Sequence, residues 1–262
     1  MRAMSIAATG MSAQELNVQV ISNNIANMNT TGFKRQRAEF QDLLYTSMDQ
    51  VGAQTSTQGT IAPTGVQIGT GVKAGSVYRI TEQGALTQTG NTYDMAITGR
   101  GYFRINMPSG EFSYTRAGNF SINAEGQIVT EDGYTVSPGI TVPAEATAVK
   151  IDGTGQVQAI VPGSTDAQVV GQLELATFVN PTGLEALGDN LFKETAASGA
   201  ATIGTPGSTG FGQLQQGFVE ASNVNAVTEI SSLIIAQRAY EMNSKVISAA
   251  DDMMSTTAQI AR

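Results

Sequence analysis

The chain is 262 residues long, with 29 glycines, only 6% aromatic residues and no tryptophan, which favours a thin, extended core over one dense globule. It contains no cysteine and no histidine, so disulfides, thiolate nucleophiles, cysteine metal sites and the commonest general base are excluded. With 14 basic and 22 acidic residues, the net charge of −8 offers no electrostatic surface to nucleic acid or anionic lipid.

The first predicted helix covers roughly residues 3–28 and carries a row with heptad spacing. The row consists of Met4, Ala7, Met11, Gln14, Val18, Ile21, Ile25 and Met28, all apolar except Gln14. This spacing keeps one stripe turned toward a partner helix. Gly10 is a weak point, and a capping box at residues 12–15 means that the helix could restart there. Because the first ten residues lack a sustained apolar stretch, we expect mature structure there rather than a cleaved signal.

A stop signal around residues 27–32 ends this helix, and the only basic cluster of the sequence follows it, at Lys34, Arg35 and Arg37. A solvated turn is the ordinary explanation of such a cluster, and we favour it over a polyanion site. Residues 46–76 are polar, nearly uncharged and rich in Gly, Ser, Thr and Gln. Their composition favours a linker over an ordered arm, although short alternations leave room for strand pairing.

Residues 77–195 have the pattern of a β domain, because turn signals built on Gly, Pro, Asn and Asp recur at short intervals. Phe103, Ile105 and Met107 alternate with polar neighbours, which indicates a strand with one buried face. The turns are too close together for crossover helices, so we expect a small antiparallel sandwich or barrel. A second Gly- and Ser-rich passage follows at residues 196–216.

The final helix is predicted to start after an N-cap at Asn225 and to run to the last residue. It carries two apolar rows. The strict heptad row comprises Ile235, Ala239, Met242, Val246, Ala249, Met253, Thr256 and Ile260, and a second row comprises Leu233, Tyr240, Ile247 and Met254. Two adjacent rows make a face too broad for a two-stranded coiled coil, so this helix should meet more than one neighbour.

Candidate catalytic groups are few. A glycosidase-like pair of acids could in principle come from Asp94, Glu111, Glu125, Glu131 and Asp132. Acids at turn positions are usually solvated, and nothing in the sequence places two of them across a cleft. Asp251 and Asp252 resemble half a metal site, but an exposed pair is the ordinary outcome. The glycine-rich residues 99–101 lack the lysine and helix of a phosphate-binding loop. We predict no catalytic residue, no cofactor and no metal.

Residues 21–44, ISNNIANMNTTGFKRQRAEFQDLL, and residues 217–254, GFVEASNVNAVTEISSLIIAQRAYEMNSKVISAADDMM, resemble the terminal signatures of the bacterial flagellar rod and hook proteins. Between them, GRGYFRI and YTRAGNFSINAEGQIVTEDGYTV resemble the family's central β domain. The signature positions are Asn23, Asn24, Asn27, Asn29, Thr31, Gly32, Phe33, Lys34, Ser222, Asn223, Arg238 and Tyr240. Hook members are longer, and proximal rod members generally lack the GAQTSTQGT insertion found here at residues 52–60.

The resemblance implies an α+β fold, with a discontinuous N- and C-terminal α-helical coiled-coil domain and a central, mostly antiparallel β domain. The implied bounds are 1–45 plus 217–262 for the helical domain of an inner tube, 46–76 plus 196–216 for an extended linker and arm, and 77–195 for the outer wall. In the family the linker is associated with stiffness, which favours an ordered arm between subunits for residues 46–76.

The resemblance further implies a structural subunit, not an enzyme, that self-assembles into a straight, rigid, hollow helical filament. Such a filament transmits motor torque to the hook and forms part of the export channel. Implied partners are further copies of this chain, proximal rod and hook proteins, the surrounding periplasmic and outer-membrane ring proteins, and the flagellar type III export apparatus. No nucleic acid and no direct membrane insertion are expected. The implied location is the basal body, as a periplasmic rod spanning toward the outer membrane, exported without a cleaved signal peptide.

The apolar rows give a predicted subunit interface. Its members are Met4, Met11, Val18, Ile21, Ile25, Met28, Leu233, Ile235, Tyr240, Met242, Val246, Ile247, Met253, Met254 and Ile260. The alternatives are another axial protein of the same family, an exported carboxylate-dependent hydrolase, and a phage-tail or adhesin shaft.

Overall fold

The computed structural model describes residues 2–49, 64–162 and 167–260, so the GAQTSTQGT segment and the rest of residues 50–63 within the predicted linker lie outside the described residues. The chain divides into two compact units. The first, called the helical unit here, comprises Met1–Ile25, Gln36–Tyr78 and Asn225–Arg262. The second, called the β unit, comprises Ala26–Arg35 and Arg79–Val224. The chain therefore crosses from one unit to the other four times.

In its described residues, the helical unit contains two long helices and two strand pairs. Its elements are α1 (Arg2–Ala26), β1 (Gln36–Asp42), β2 (Tyr45–Asp49), β3 (Val66–Gly69), β4 (Val72–Arg79) and α2 (Ala226–Ile260). Strand β1 pairs with β4, and β2 pairs antiparallel with β3. Strand β3, which contains Val66 and Ile68, confirms the strand pairing for which the alternations within residues 46–76 left room.

Both predicted helices are present. Helix α1 runs unbroken through Gly10, so the capping box at residues 12–15 does not start a new helix. Asn225 caps α2 as predicted, because its Oδ1 accepts hydrogen bonds from the backbone N–H groups of Val227 at 3.0 Å and Thr228 at 3.2 Å. Within the part of the chain that the structure describes, neither helix is apolar enough over its length to cross a membrane.

Outside residues 163–166, which are not described, the β unit contains sixteen short strands and one 3₁₀ turn, Pro181–Gly183. The strands are β5 (Leu86–Gln88), β6 (Met95–Thr98), β7 (Tyr102–Asn106), β8 (Phe112–Thr115), β9 (Ser121–Ile122), β10 (Ile128–Val129), β11 (Thr135–Val136), β12 (Ala148–Ile151), β13 (Gln156–Ile160), β14 (Gln168–Gln172), β15 (Leu175–Thr177), β16 (Glu185–Gly188), β17 (Leu191–Lys193), β18 (Thr202–Gly204), β19 (Gln213–Gln216) and β20 (Phe218–Glu220).

The largest sheet of the β unit has nine strands. Seven follow the order β16-β17-β8-β7-β11-β10-β9, and β15 joins β7 to β18. A three-stranded sheet, β12-β13-β14, and the pairs β19-β6 and β20-β5 complete the described pairing. These pairs are antiparallel, which confirms the predicted central antiparallel region. The glycine-rich passage 196–216 belongs to this unit and contains β18 and β19.

The core of the β unit is formed by the buried residues of its strands. Phe103 and Ile105 of β7 are fully buried, and the Phe103 ring meets the Phe120 ring edge to face, with centroids 5.0 Å apart. A second, smaller cluster groups Tyr102 and Tyr114 around Phe178. The period-2 pattern read from residues 103–107 therefore marks the inward face of β7.

Candidate functional site

Two contacts bring α1 and α2 together in opposite directions. Asn24 Nδ2 donates a hydrogen bond of 3.1 Å to Glu229 Oε2. A Cβ built on Gly10 would lie 2.9 Å from Asn243 Nδ2. The contacts are fourteen residues apart on both helices, from 10 to 24 on α1 and from 243 back to 229 on α2. The helices are therefore antiparallel, and residues whose numbers add to 253 face each other.

The row of α2 that faces α1 is not the strict heptad row. Glu229, Ala236 and Ala250 are buried, with exposed fractions of 1%, 2% and 6%, and Asn243 between them is half-buried. These four positions are seven residues apart. Two of them carry the small side chain of alanine, and the side chain of Asn243 lies against Gly10 of α1.

The strict heptad row of α2 is exposed to solvent instead. We call its five large apolar members the assembly row: Ile235 (69% exposed), Met242 (61%), Val246 (48%), Met253 (64%) and Ile260 (81%). The second predicted row lies beside the α1-facing side, since Leu233 and Ile247 are half-buried while Tyr240 and Met254 are exposed. The large apolar surface of α2 thus has no partner within the described chain.

The predicted row of α1 lies closer to the interior of the helical unit. Ile21 is buried, whereas Met4, Met11, Val18 and Ile25 are half-buried. Met28 lies after the last residue of α1 and is exposed. Most of the first predicted row is therefore covered within the unit, unlike the assembly row of α2.

Asn24 is a signature residue whose role the structure explains. Its side chain forms a two-way pair with the backbone of Gln36, accepting from the N–H at 2.8 Å and donating to the carbonyl at 2.8 Å. It also donates to Glu229, and both side chains are only 1% exposed. One amide thus ties the end of α1 to the start of β1 and to the first turns of α2, which hydrophobic spacing could not predict.

Lys34 contradicts the predicted solvated turn. It is 5% exposed, and its Nζ donates to Glu220 Oε1 at 2.5 Å and to the backbone carbonyl of Glu82 at 2.7 Å. The other carboxylate oxygen of Glu220 accepts from Arg116 Nε at 2.5 Å. Arg35 is half-buried, and Arg37 is exposed as expected. The interpretation was wrong because the carboxylate lies 186 residues away from the lysine.

We call Lys34, Arg116 and Glu220 the ionic clasp. All three side chains are almost fully buried, with two cations on one carboxylate. The excess positive charge is met by backbone dipoles, because Arg116 also donates to three carbonyls, those of Ile97, Gly99 and Gly101. Buried charges are tolerated only when they are paired and hydrogen-bonded in this way.

The pKa values of the clasp reflect burial and pairing. Burial lowers the pKa of Lys34, and the hydrogen bond and charge of Glu220 only partly oppose that effect. Burial by itself would raise the pKa of Glu220, but the charge of Arg116 and the hydrogen bond from Lys34 outweigh it, so its pKa lies below the usual value. Glu220 is therefore ionised at neutral pH.

Two further signature residues secure the same segment. Gly32 donates its N–H to the backbone carbonyl of Glu220 at 2.7 Å and has φ of +70°, and a Cβ there would lie 2.6 Å from the backbone N of Ala117. Only glycine fits both restrictions. Asn223 Oδ1 accepts from the N–H of Arg35 at 2.7 Å, while its Nδ2 donates to the carbonyl of Ile80 at 3.0 Å.

The other signature positions occupy less buried places. Asn27, Thr31, Phe33 and Ser222 are half-buried, whereas Asn23, Asn29, Arg238 and Tyr240 are exposed. Sequence reasoning did not single out Glu220, Arg116 or Glu229, which the structure shows to be central. Each is a lone charged residue in its own stretch, so no local spacing could have identified its partner.

Three of the acids considered for catalysis are engaged by other side chains in the structure. Asp94 accepts from Asn91 at 2.8 Å, Glu111 pairs with Lys193 at 2.6 Å, and Glu131 accepts from Asn119 at 2.7 Å. Within residues 2–49, 64–162 and 167–260, no group of three or more acids is placed to hold a metal ion. Asp251 and Asp252 are exposed on α2.

Three family models match the chain in order. The model described as "Flagella basal body rod protein" matches residues 4–34, "Flagellar hook protein FlgE/F/G D1 domain" matches 96–159, and "Flagellar basal body rod FlgEFG protein C-terminal" matches 215–260. The flagellar basal-body rod protein FlgG of Caulobacter vibrioides is 64% identical over 260 residues, covering 99% of both chains. The chain belongs to the flagellar basal-body rod protein family.

Other relatives agree with this assignment. The FlgG protein of Agrobacterium fabrum is 51% identical, with 97% of each chain covered. The rod protein FlgF of Caulobacter vibrioides is 36% identical over 94% of this chain and 89% of its own. By sequence identity, this rod protein therefore resembles the FlgG of Caulobacter vibrioides, the distal rod protein, more than it resembles the FlgF of Caulobacter vibrioides. It is a structural subunit of the flagellar basal body and not an enzyme.

Proposed function

We propose that this subunit polymerises into the distal rod through the assembly row of α2. The observation that carries the proposal is the exposure of five large apolar side chains at heptad spacing, Ile235, Met242, Val246, Met253 and Ile260. Contiguous apolar surface of this kind on a monomer marks an interaction site. Heptad spacing suits a helix of another subunit, and we infer coiled-coil packing between copies.

The row of α2 that faces α1, at residues 229, 236, 243 and 250, is separate from the assembly row, so the two rows serve different contacts. Glu229 accepts a hydrogen bond from Asn24 of α1, and Ala236 and Ala250 are buried in the same row, so a different stripe remains for other copies. A contact between two different surfaces, repeated along a screw axis, gives an open helical filament rather than a closed ring. We propose that the predicted interface residues of both helices form this contact, with Ile21 and its half-buried neighbours supporting it from within.

The proposed filament is straight, rigid and hollow. Residues 1–45 and 217–262 would form the inner tube, 46–76 and 196–216 the arm, and 77–195 the outer wall. Torque from the motor would pass to the hook through packed helices and arm contacts, with no bond made or broken. The lumen would form part of the export channel through which later subunits travel.

The partners follow from this role. We propose contacts with proximal rod proteins at one end and hook protein at the other, with periplasmic and outer-membrane rings around the filament. The rod would span the periplasm toward the outer membrane, and the subunit would reach it through the flagellar type III export apparatus. Passage through a narrow channel requires an unfolded chain, and a sequence without cysteine forms no disulfide that would obstruct it.

Electron microscopy of the purified chain at high concentration tests the proposal. Straight hollow filaments are expected for the natural chain, and a Met253→Asp chain should remain monomeric because a buried unpaired charge is costly. Filaments of unchanged length and number from the Met253→Asp chain would contradict the assembly row. Closed rings from the natural chain would contradict the screw-axis contact.

A further inference from the structure

We infer that the ionic clasp and Asn223 act as a tether that favours pairing of α1 with α2 within one subunit. The clasp fixes the segment after α1 in the β unit, next to the segment that leads into α2. The effect concerns the monomer and does not depend on rod assembly. It would make each subunit ready to assemble by bringing the two helices within reach of each other.

The tether is visible in the backbone contacts of the β unit. Gly32 donates its N–H to the carbonyl of Glu220 at 2.7 Å, and the Lys34 ammonium reaches the Glu220 carboxylate. The side-chain oxygen of Asn223 accepts a hydrogen bond from the N–H of Arg35. The backbone carbonyl of Arg35 accepts one from the N–H of Ile80 at 2.8 Å. Residues 32–35 are thus bound to residues 220–223 by side-chain and main-chain bonds together.

The tether shortens the loop that helix pairing must close. The Asn24–Glu229 contact spans 205 residues along the chain. With residues 32 and 220 held together, the path falls to about 17 residues, eight from 24 to 32 and nine from 220 to 229. Closing a short loop costs less conformational entropy than closing a long one.

Releasing residues 32–35 would lengthen this path. The next connection is the Ala221 N–H to the Ala85 carbonyl, at 2.8 Å in the β5–β20 region. The path then covers about 70 residues, from 24 to 85 and from 221 to 229. The pair β1–β4 would not shorten it, because an isolated two-stranded pair is marginal in water. A loop-entropy exponent of 3/2 makes helix pairing about 8-fold less favourable.

The test uses the full chain with Lys34→Met and Asn223→Ala. These substitutions remove the side-chain bonds of Lys34 and Asn223 while leaving the Arg116–Glu220 pair in place. Single main-chain bonds of residues 32–35 then remain, and we expect these to open. Spin labels at Ser12→Cys and Glu241→Cys report pairing, since both sites are exposed, their numbers add to 253, and the natural chain has no cysteine. The distance distribution is measured by pulsed electron spin resonance on dilute monomer across a urea series. Amide exchange of residues 33–35 reports their release.

We expect the paired, short-distance population to fall, with an equilibrium constant about 8-fold lower, while the β unit stays folded. Glu111→Gln, which removes the exposed Lys193–Glu111 pair of the same unit, is the matched control and should change neither readout. Release of residues 33–35 without a change in the pairing of α1 with α2 would overturn the inference. A fall in helix pairing without release of residues 33–35 would overturn it too. No change in either readout would overturn the inference as well, because it assigns the tether to these side chains.

If the double variant unfolds the β unit, Asn223→Ala is measured in its place. It frees the Arg35 N–H but leaves the Lys34–Glu220 pair, so we expect a fall in pairing smaller than 8-fold, and faster exchange at Arg35 with unchanged pairing would overturn the inference.

Discussion

Asn24 on α1 and Glu229 on α2, 205 residues apart in sequence, are joined by a buried hydrogen bond of 3.1 Å. The bond brings the end of the first helix to the beginning of the last one and, with the contact of Gly10 and Asn243, shows that the helices are antiparallel. Asn24 also pairs with the backbone of Gln36, so the contact connects three elements of the helical unit. This polar contact complements the apolar rows, which do not by themselves specify which helix faces meet.

Asn24→Ala should destabilise the helical unit by about 2 kcal/mol, because the backbone of Gln36 and the buried carboxylate of Glu229 would each lose a hydrogen-bond partner. The loss is measured as a lower midpoint for the helical transition in far-UV circular dichroism during urea unfolding. Ser22→Ala, at an exposed position on the same helix, should stay within about 0.5 kcal/mol. Equal effects of the two substitutions would show that the hydrogen bonds of Asn24 do not stabilise the helical unit.

Gly10→Ala should change stability in one background and not in the other. Alanine favours a helix by about 1 kcal/mol over glycine, but its Cβ would lie 2.9 Å from Asn243 Nδ2. In the natural chain this close approach should cancel the gain, whereas with Asn243→Ala the gain should appear. A double-mutant cycle of unfolding free energies should therefore give a coupling of about 1 kcal/mol. Zero coupling would mean that the two positions do not meet.

Met253→Asp should abolish filament formation without destabilising the monomer. The Met253 side chain is 64% exposed, so the substitution costs within about 0.5 kcal/mol before assembly but places a charge in the proposed interface. Sedimentation velocity measures the assembly state, and circular dichroism measures the helix content. Gln237→Asp adds the same charge at an exposed polar position of α2 and should still assemble. Loss of assembly in both variants would point to net charge rather than to the row.

Glu220→Gln should destabilise the β unit by about 3 kcal/mol at neutral pH, because two buried cations lose their carboxylate. Urea unfolding followed by near-UV circular dichroism of the buried Tyr102 and Tyr114 measures the difference. Glu111→Gln, which breaks an exposed ion pair, should cost less than about 1 kcal/mol. If the two variants lose similar amounts, the clasp contributes no more than a surface pair.

The natural chain and the Glu220→Gln variant should also differ in how their stability depends on pH. The folded pKa of Glu220 lies below its ordinary value of 4.5, because the effects of Arg116 and Lys34 outweigh that of burial. Its stabilisation is therefore fully present above about pH 4.5 and is lost as the pH falls through the folded value. The difference in unfolding free energy between the natural chain and Glu220→Gln should stay constant above that pH and shrink below it. A difference that grows in acid would have the wrong sign.

The fold class was predictable where local pattern determines structure. The heptad rows located both helices, the Asn225 cap fixed the start of α2, and the alternation from Phe103 to Met107 identified a strand with an inward face. Each of these signals depends on residues within one or two turns or strands. The separation into terminal helices and a central antiparallel region follows from them.

The candidate site was predictable only in part. The signature asparagines, Gly32 and Lys34 were singled out, but their contacts were not. Lys34 was expected in solvent, because a lysine is buried only when a partner compensates its charge, and Glu220 lies far away in sequence.

The sequence by itself determined that both ends are helices with apolar rows and that the middle is β structure, since periodicity, capping and turn chemistry are local properties. Tertiary structure decided which row of α2 faces α1. Glu229, Ala236 and Ala250 turn inward, and Ile235 and Met253 remain outside. The reason is that a heptad row shows only that a helix has a partner-binding face. Which face is used within the subunit depends on close approach at Gly10 and on hydrogen bonding at Asn24, contacts that exist only once distant segments have met.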